Sequence, residues 1–321
     1  MRRVCLRKIL TYPRTFGATL LVMGFIAGFI IAHFNITIPL KNIEENLVAT
    51  ANEGANKTDC CPLMPLLLPK LRTVELDTSD FPDLGARFKL KPGGSWSPNH
   101  CKPQHHVAII VSYRNRFEHL KVFLTNLHPF LQRQLLSYQI FVVEQKKPEK
   151  FNRAKLFNVG YMEAQKLSNF KCLIFHDVDL IPENPNNIYA CTKKPRHMSS
   201  SIDIFDYKNL YFTLFGGAVA ILKEQFEAAN GFSNCYFGWG GEDDDFYQRV
   251  TKTTGMSICR FEDYVARYTM LSHKKEKRED EIVELLNASA ARMASDGLNS
   301  LNYTRLSLDF KDSYTRILVN L

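Results

Sequence analysis

The chain has 321 residues, 45% of them hydrophobic, and a formal net charge of +8 at pH 7. Its length allows one large domain or two ordinary ones, while its hydrophobic content and the lack of a Gly-x-y repeat exclude disordered and collagen-like chains. The positive charge suits a nucleic-acid or membrane-surface binder, so its position along the sequence decides its meaning.

The N-terminus carries most of this charge. Five basic residues and no acid occupy the first 14 positions, which leaves 36 basic against 33 acidic residues, a net +3, for the rest. An uncharged segment follows at 15–40, and its most apolar part, 16–32, has 17 residues. That is the short end of the roughly 17–25 residues that cross a bilayer. Basic residues before such a segment place the N-terminus in the cytosol.

We therefore predict a cytoplasmic tail at 1–14, a signal-anchor transmembrane helix at 15–33 and a lumenal remainder. A cleaved signal peptide is the competing interpretation, but it needs an apolar core of about 7–15 residues and a small-x-small cleavage site. The segment is longer than that, and Ala27-Gly28-Phe29 is a poor site. Because the excess charge lies beside the anchor, no case for nucleic-acid binding remains.

Two further signals agree with a lumenal location. Seven of the eight cysteines follow the apolar segment, where an oxidising compartment permits disulfides, and no C-x2-C pair suggests a zinc site. Sequons predict N-glycosylation at Asn35, Asn56, Asn287 and Asn302.

Composition divides the lumenal part. Segment 34–59 is polar and predicts a stem, and a Pro-rich stretch from 60 to 103 predicts a wrapping segment with little regular structure. Apolar β-branched runs and helical spacing then alternate: strand 107–113, helix 116–136, strand 138–144, helix 152–167 and strand 171–175. This alternation indicates an α/β domain with a mainly parallel sheet, which we assign to 60–321.

Two acidic motifs are candidates for chemistry. Asp177 and Asp179 follow the third strand, where they could hold a divalent cation that bridges a diphosphate, although D-x-D is also common on surfaces. Residues 237–245 read FGWGGEDDD. An acidic helix N-terminus is one explanation. The other is a sugar site, in which glycines allow close approach, Trp239 offers a flat face and a carboxylate takes a proton from a hydroxyl.

Two further sets of residues give weaker indications of function. In RYTMLSH (267–273), Met270 and His273 are potential metal ligands, but thioether is soft, so by residue type alone Met270 suits a core and His273 a surface. Arg114, Arg116 and Arg153 follow predicted strands, where arginines clamp phosphates or form ordinary ion pairs.

Together these stretches resemble the β-1,4-galactosyltransferase family of Golgi glycosyltransferases, and most of all its invertebrate-type β-1,4-N-acetylgalactosaminyltransferase members. The resemblance runs from about Cys60 to the C-terminus and implies the α/β GT-A fold with a Rossmann-like nucleotide-sugar-binding domain. The matching stretches are VAIIVSYRNRFEHL (107–120), EQKKPEKFNRAKLFNVGYMEA (144–164), FHDVDLIPENPNNIYAC (175–191), FGGAVAIL (215–222), NGFSNCYFGWGGEDDD (230–245), RYTMLSH (267–273) and DGLNSL (296–301).

The resemblance also implies roles for single residues. The catalytic base would be Asp243, and the manganese ligands would be Asp179, Met270 and His273. The donor pocket would comprise Arg114, Arg116, Phe151, Arg153, Asp177, Leu214 and Trp239. The acceptor site would comprise Trp239, Gly241, Glu242 and Asp244. Family disulfides would join Cys172 to Cys191 and Cys101 to either Cys60 or Cys61, of which Cys61 is the preferred partner.

Two departures from the family pattern bear on substrates. Members that transfer galactose have Tyr before Phe-Gly-Gly, where it crowds the donor's C2 substituent, whereas this chain has Leu214 and leaves room for an N-acetyl group. An Arg-Phe pair that cups the acceptor's N-acetyl group is replaced by Ile282 and Val283.

The resulting hypothesis is an inverting, Mn2+-dependent enzyme of the Golgi membrane that moves N-acetylgalactosamine from UDP-GalNAc in β-1,4 linkage to terminal β-N-acetylglucosamine. The alternatives are a galactosyltransferase that uses UDP-Gal and a non-catalytic, lectin-like Golgi protein that retains donor binding. An accessory membrane protein or a homodimer is left open as a partner.

Overall fold

The structure is a computed structural model that describes residues 35–51, 57–65, 70–273 and 281–321. The predicted tail, the transmembrane helix and the sequon at Asn56 lie outside the described residues. Within these ranges, no helix combines the length and the apolar character needed to cross a membrane.

Strands and helices alternate one by one between residues 106 and 177, and elsewhere in the described chain they come in runs of one kind. The strands are β1 Ile36–Ile38, β2 His106–Tyr113, β3 Ser137–Gln145, β4 Cys172–Asp177, β5 Leu180–Pro182, β6 Arg196–His197, β7 Ser201–Ile202, β8 Ala218–Leu222, β9 Cys259–Phe261, β10 Arg267–Met270, β11 Thr304–Phe310 and β12 Thr315–Asn320. The α-helices are α1 Ile43–Asn46, α2 Leu84–Arg87, α3 Phe117–Arg133, α4 Arg153–Leu167, α5 Lys223–Ala228, α6 Glu242–Thr254, α7 Ile282–Asn287 and α8 Ser289–Arg292.

Nine strands form one sheet in the order β1-β9-β6-β8-β4-β2-β3-β12-β11, and a small sheet has the order β5-β10-β7. The five elements predicted between 107 and 175 are all present, each within a few residues of its predicted bounds. The prediction of a mainly parallel sheet holds only in part, because β8 is antiparallel to both β4 and β6, and β11 is antiparallel to β12. The sheet is therefore mixed.

The centre of the large sheet is buried on both faces, as expected for a sheet covered by helices. Along β2, Val107, Ile109 and Val111 face a core that includes α3, whereas Ala108 and Ile110 face a second core that includes α4 and α6. This burial explains why β2 is a nearly continuous apolar run, and it fixes the carboxyl end of β4 beside β2.

The segment predicted as a stem is partly folded onto this sheet. β1 pairs in parallel with β9, and Ile38, Ile43 and Leu47 lie in a third apolar cluster with Ile188 and Phe261. The compact unit Asn35–Leu321 therefore includes residues of the segment that was predicted as a stem. A three-residue strand is too short to show periodicity, so the sequence could not separate it from a linker.

Both disulfides implied by the resemblance are present, Cys61 with Cys101 and Cys172 with Cys191. The described sequons differ in exposure. Asn287 and Asn302 are exposed, whereas Asn35 is partly buried and its Nδ2 donates a 2.6 Å hydrogen bond to the carbonyl of Phe212. In the folded unit, the amide nitrogen to which a glycan would be attached is therefore already hydrogen-bonded to the protein.

Candidate active site

The first pair of candidate acids lies where the centre of the large sheet ends. β4 ends at Asp177, and Asp179 follows immediately before β5. β4 is flanked by β2 and β8, and the carboxyl ends of strands in open α/β sheets are where ligands bind. The D-x-D motif therefore lies at a binding edge and not on a remote surface.

The second set of acids begins a helix and follows a glycine-rich loop. Residues 242–245 form the first turn of α6, where the helix dipole stabilises negative charge. Gly238, Gly240 and Gly241 have φ of 88°, 107° and 84°, which side-chain-bearing residues rarely adopt. Between them, Trp239 is 56% exposed. The acids thus form the first turn of a helix, as the first explanation predicts, and the loop before them exposes an aromatic face.

One guanidinium joins the two sets of acids. Arg153, at the start of α4, places Nε 2.6 Å from Oδ1 of Asp177 and Nη1 2.6 Å from Oδ1 of Asp243. Its Nη1 is also 3.4 Å from Oε1 of Glu242. The guanidinium lies over the ring of Phe157, 4.7 Å from the centroid, which fixes its plane. Arg153 therefore holds the end of β4 and the start of α6 in register.

Asp243 has the ionisation expected of a general base near neutral pH. Burial raises the pKa of Asp243 to about 7, with Glu242 and Asp177 adding to the increase while Arg153 opposes it. Gly216 packs so closely that a Cβ at this position would collide with the Asp243 carboxylate. The carboxylate is thus fixed between Arg153 and the Phe-Gly-Gly backbone.

Asp179 and His273, two of the three expected metal ligands, are in contact with each other. Oδ2 of Asp179 lies 3.1 Å from Nδ1 of His273 and 2.8 Å from Nη1 of Arg116. Met270 pairs with Leu180 across β10 and β5, so it lies in the strand beside the D-x-D turn. A carboxylate and an imidazole suit one divalent cation, whereas a thioether is an unusual ligand for a hard one. Within the described ranges, no group of three or more His, Cys, Asp or Glu side chains forms a metal cluster.

Two other residues that were predicted to bind the sugar donor, Arg114 and Phe151, lie beside the start of the glycine-rich loop. The guanidinium of Arg114 lies over the ring of Phe151 at 5.2 Å, and its Nη1 donates a 2.6 Å hydrogen bond to the carbonyl of Glu149. The N–H of Gly238 donates to the carbonyl of Phe151 at 2.8 Å. The arginine–aromatic pair and the loop are therefore linked directly.

Leu214 lies next to the Phe-Gly-Gly segment that carries Gly216. It is partly buried, and its carbonyl accepts a 2.9 Å hydrogen bond from Nη2 of Arg260, which also donates to the carbonyl of Phe212 at 2.8 Å. Three residues earlier, the Tyr211 hydroxyl is hydrogen-bonded to Asp244. Burial raises the pKa of Tyr211, and Asp244 and Asp243 raise it further.

The two residues that replace the family's Arg-Phe pair have different environments. Ile282 is 2% exposed, and a Cβ on Gly241 would collide with its Cγ2. Val283, next to it in α7, is 52% exposed. Ile282 therefore packs closely against the glycine-rich loop at Gly241.

Comparisons with known proteins agree with this geometry. The model for the N-terminal region of glycosyl transferase group 7 matches residues 60–192, and that for the N-terminal domain of galactosyltransferase matches 196–274. The chain is 40% identical over 298 residues to β-1,4-galactosyltransferase 4 of Cricetulus griseus, covering 92% of this chain and 86% of that protein. It is 45% identical to β-1,4-galactosyltransferase 1 of Mus musculus, covering 88% and 72%.

The chain belongs to the β-1,4-galactosyltransferase family. A solved structure of Drosophila β-1,4-galactosyltransferase 7, a mutant in complex with manganese, UDP-Gal and xylobiose, matches with a TM-score of 0.58 and 28% identity. The match covers 67% of this chain and 93% of that one. As a member of the family with this fold, the protein is a hexosyltransferase.

Sequence reasoning missed a buried ionic network behind the family's acidic motif. Asp245 turns inward, where it pairs with Arg249 and accepts a 2.9 Å hydrogen bond from the Tyr236 hydroxyl. Arg249 also lies 3.2 Å from Asp296, the first residue of DGLNSL. The i, i+4 spacing of Asp245 and Arg249 was a usable signal, but the contact with Asp296 depends on the fold.

Proposed function

We propose that this hexosyltransferase moves N-acetylgalactosamine from UDP-GalNAc, with inversion and in β-1,4 linkage, to a terminal β-N-acetylglucosamine of a glycoprotein or glycolipid. The observation that carries the proposal is the placement of Asp243. Its pKa is raised to about 7, and it lies between Arg153 and the Phe-Gly-Gly segment that Leu214 precedes. This arrangement provides a base and a donor pocket in one cleft.

Asp243 acts as the general base. A carboxylate with a pKa near the working pH is deprotonated often enough to accept a proton and basic enough to remove one. It takes the proton of the acceptor hydroxyl as that oxygen attacks the anomeric carbon from the face opposite the diphosphate. Attack from that side converts an α-linked donor into a β-linked product. Trp239, Gly241, Glu242 and Asp244 hold the acceptor sugar against this base.

The protein binds the donor through the donor's diphosphate and its uracil ring. In this proposal Arg114, Arg116, Phe151 and Arg153 bind the uridine diphosphate, and Asp177, which Arg153 holds by an ion pair, helps to bind the sugar. Manganese, held by Asp179, Met270 and His273, would supply positive charge that stabilises the leaving diphosphate. The manganese and UDP-Gal bound to the Drosophila relative support a metal-dependent UDP-sugar donor.

The choice of N-acetylgalactosamine rests on Leu214. A tyrosine before Phe-Gly-Gly excludes a C2 N-acetyl group by steric clash, and a leucine lacks both the ring and the hydroxyl. Arg260 fixes the backbone of this segment through the carbonyls of Phe212 and Leu214, so the side chain cannot easily withdraw. A pocket of fixed shape discriminates between donors by size.

UDP-Gal is the second candidate donor, because the curated relatives are named galactosyltransferases. Galactose is smaller at C2 than N-acetylgalactosamine, so the Leu214 pocket can admit it. We therefore expect the enzyme to use both donors and to prefer one of them.

Donor competition with the full-length chain tests the proposal. With Mn2+ and a β-N-acetylglucosaminide acceptor, we expect kcat/KM to be higher for UDP-GalNAc than for UDP-Gal. Leu214→Tyr should shift that ratio toward UDP-Gal about tenfold or more. Leu210→Tyr, four residues earlier in the same loop, is the matched control and should leave the ratio unchanged. A Leu214→Tyr enzyme that keeps its preference for UDP-GalNAc would contradict the donor assignment.

We further propose a single-pass type II protein of the Golgi membrane, with residues 15–33 as the anchor and the catalytic unit in the lumen. The two disulfides and the exposed sequons at Asn287 and Asn302 support a lumenal unit.

A further inference from the structure

The residue that is proposed to select the donor sits at the end of a short turn. The N–H of Leu214 donates to the carbonyl of Tyr211 at 3.2 Å, which closes the turn Tyr211–Leu214. The Tyr211 hydroxyl is hydrogen-bonded to Asp244, next to the proposed base Asp243. Whatever holds this turn therefore also holds Leu214 in the proposed donor pocket.

The carbonyl of Phe212, inside the turn, accepts two hydrogen bonds. Nδ2 of Asn35 donates to it at 2.6 Å, and Nη2 of Arg260 donates to it at 2.8 Å. A carbonyl oxygen has two lone pairs, so both are used. The same Nη2 also donates to the carbonyl of Leu214 at 2.9 Å. The turn is thus held by two side chains from outside it.

The pairing of β1 with β9 brings these two donors together. Thr37 lies opposite Arg260 in this parallel pair, and the N–H of Ile36 donates to the carbonyl of Ile258 at 3.1 Å. Side chains two residues apart on an extended backbone lie on the same face, so Asn35 and Thr37 share the face on which Arg260 lies. The register of the two strands therefore places both donors beside the turn.

A buried histidine fixes the other end of the Arg260 guanidinium. Burial lowers the pKa of His197 to about 3, and the charge of Arg260 lowers it further. The imidazole is therefore neutral, and its Nδ1 accepts a 3.2 Å hydrogen bond from Nε of Arg260. His197 is also hydrogen-bonded to the backbone of Gly216, against which Asp243 packs. Arg260 is thus a fixed donor, and Asn35 completes the pair.

Asn35 is also the first residue of a sequon, and a glycan would be attached to the same Nδ2 that donates to Phe212. A glycan is bulky and needs solvent around the atom that carries it. Asn35 is partly buried, and its Oδ1 is buried. The folded unit therefore favours a free amide at this position.

We propose that Asn35 is a positioning residue for the donor pocket: its free amide, together with Arg260, holds the carbonyl of Phe212 and so keeps Leu214 in place. The inference rests on the donor role of Leu214 that is proposed above. It assigns part of donor selection to a strand that lies outside the residues that the family models match, which begin at 60.

Hydrogen exchange and donor competition with the full-length chain test this role. Asn35→Asp keeps the size of the side chain but replaces the donating amide by a carboxylate, which repels the Phe212 carbonyl. We expect the Leu214 amide to exchange about three- to tenfold faster, as for the loss of one hydrogen bond. The ratio of kcat/KM for UDP-GalNAc to that for UDP-Gal should fall by about threefold. Asn35→Ala, which adds no charge, should change both quantities in the same direction.

Thr37→Val is the matched control, because it destroys the sequon at an exposed position of β1 while it leaves Asn35 and the size of the side chain at 37 unchanged. It should match the wild-type enzyme in both measurements. Equal changes in Thr37→Val and Asn35→Asp would show that a glycan on Asn35 is responsible, and they would overturn the inference. Unchanged exchange of the Leu214 amide in both Asn35 variants would overturn it as well.

The donor assignment can fail separately. If Leu214→Tyr leaves the donor ratio unchanged, the proposed donor role of Leu214 is wrong, and the exchange of the Leu214 amide still decides whether Asn35 holds the turn. If Leu214→Tyr shifts the ratio, but the Asn35 variants exchange faster without shifting it, Asn35 has no part in donor selection.

Discussion

The proposed donor and acceptor sides of the active site are held in different ways. On the donor side, Arg153 and Arg116 form ion pairs with Asp177, Asp179 and Asp243 at 2.6–2.8 Å. On the acceptor side, glycines with left-handed backbone angles and the aliphatic Ile282 define the loop around Trp239. The proposed donor side matches the family pattern except at Leu214, whereas the proposed acceptor side departs from it at Ile282 and Val283. The ion pairs therefore constrain the proposed donor side, and the chain departs from the family pattern on both sides.

The largest effect should come from the base. Asp243→Asn preserves shape and removes the ability to accept a proton, so kcat should fall by about 10²–10⁴-fold while UDP binding persists. Steady-state kinetics and calorimetry with UDP measure the two quantities. Asp312→Asn, in the turn between β11 and β12, is the control and should retain full activity. A variant at 243 with near-normal kcat would remove Asp243 from its role.

The second prediction concerns the dependence of kcat/KM on pH. Since the deprotonated form of Asp243 is the active one and its pKa is about 7, kcat/KM should fall about tenfold per pH unit below that value and level off above it. Arg153 opposes the increase in this pKa, so Arg153→Met should move the inflection to higher pH. A pH–rate profile of both enzymes measures the shift, and identical inflections would show that Arg153 does not set the ionisation of the base.

The smallest effect tests whether the two sides are separable. Ile282→Ala removes the aliphatic contact to Gly241 and should lower the free energy of unfolding by about 2 kcal/mol. It should raise the KM for the acceptor several-fold and leave UDP binding unchanged. Val283→Ala, at the exposed neighbouring position, should alter stability by less than about 0.5 kcal/mol. Loss of UDP binding in Ile282→Ala would break the distinction between the two sides.

Sequence analysis predicted those parts of the molecule that leave a pattern within a short stretch of the sequence. The strand–helix alternation from 107 to 175 is visible as apolar periodicity, and the D-x-D and FGWGGEDDD motifs are contiguous. The bridge that Arg153 makes between β4 and α6 joins residues 24 and 90 positions apart, so no spacing rule reveals it. The same holds for Arg249 and Asp296, which are 47 positions apart.

The sheet topology was harder to predict for a related reason. An apolar run such as β8 indicates a buried strand but not its direction, so the antiparallel insertion between β4 and β6 has no signature in composition. Met270 and His273 were similarly ambiguous by residue type, because proximity to Asp179 depends on how β10 pairs with β5.

The pairing of β1 with β9 bears on how a soluble enzyme can be made. β1 occupies one outer edge of the large sheet and satisfies backbone groups of β9 that would otherwise be open to another chain. A fragment that starts at Cys60, where the family match begins, would lose this strand together with Ile38, Ile43 and Leu47 from the core. A fragment that starts at Asn35 retains them. The boundary between linker and enzyme is therefore set by hydrogen bonding at a sheet edge, only two residues past the predicted anchor.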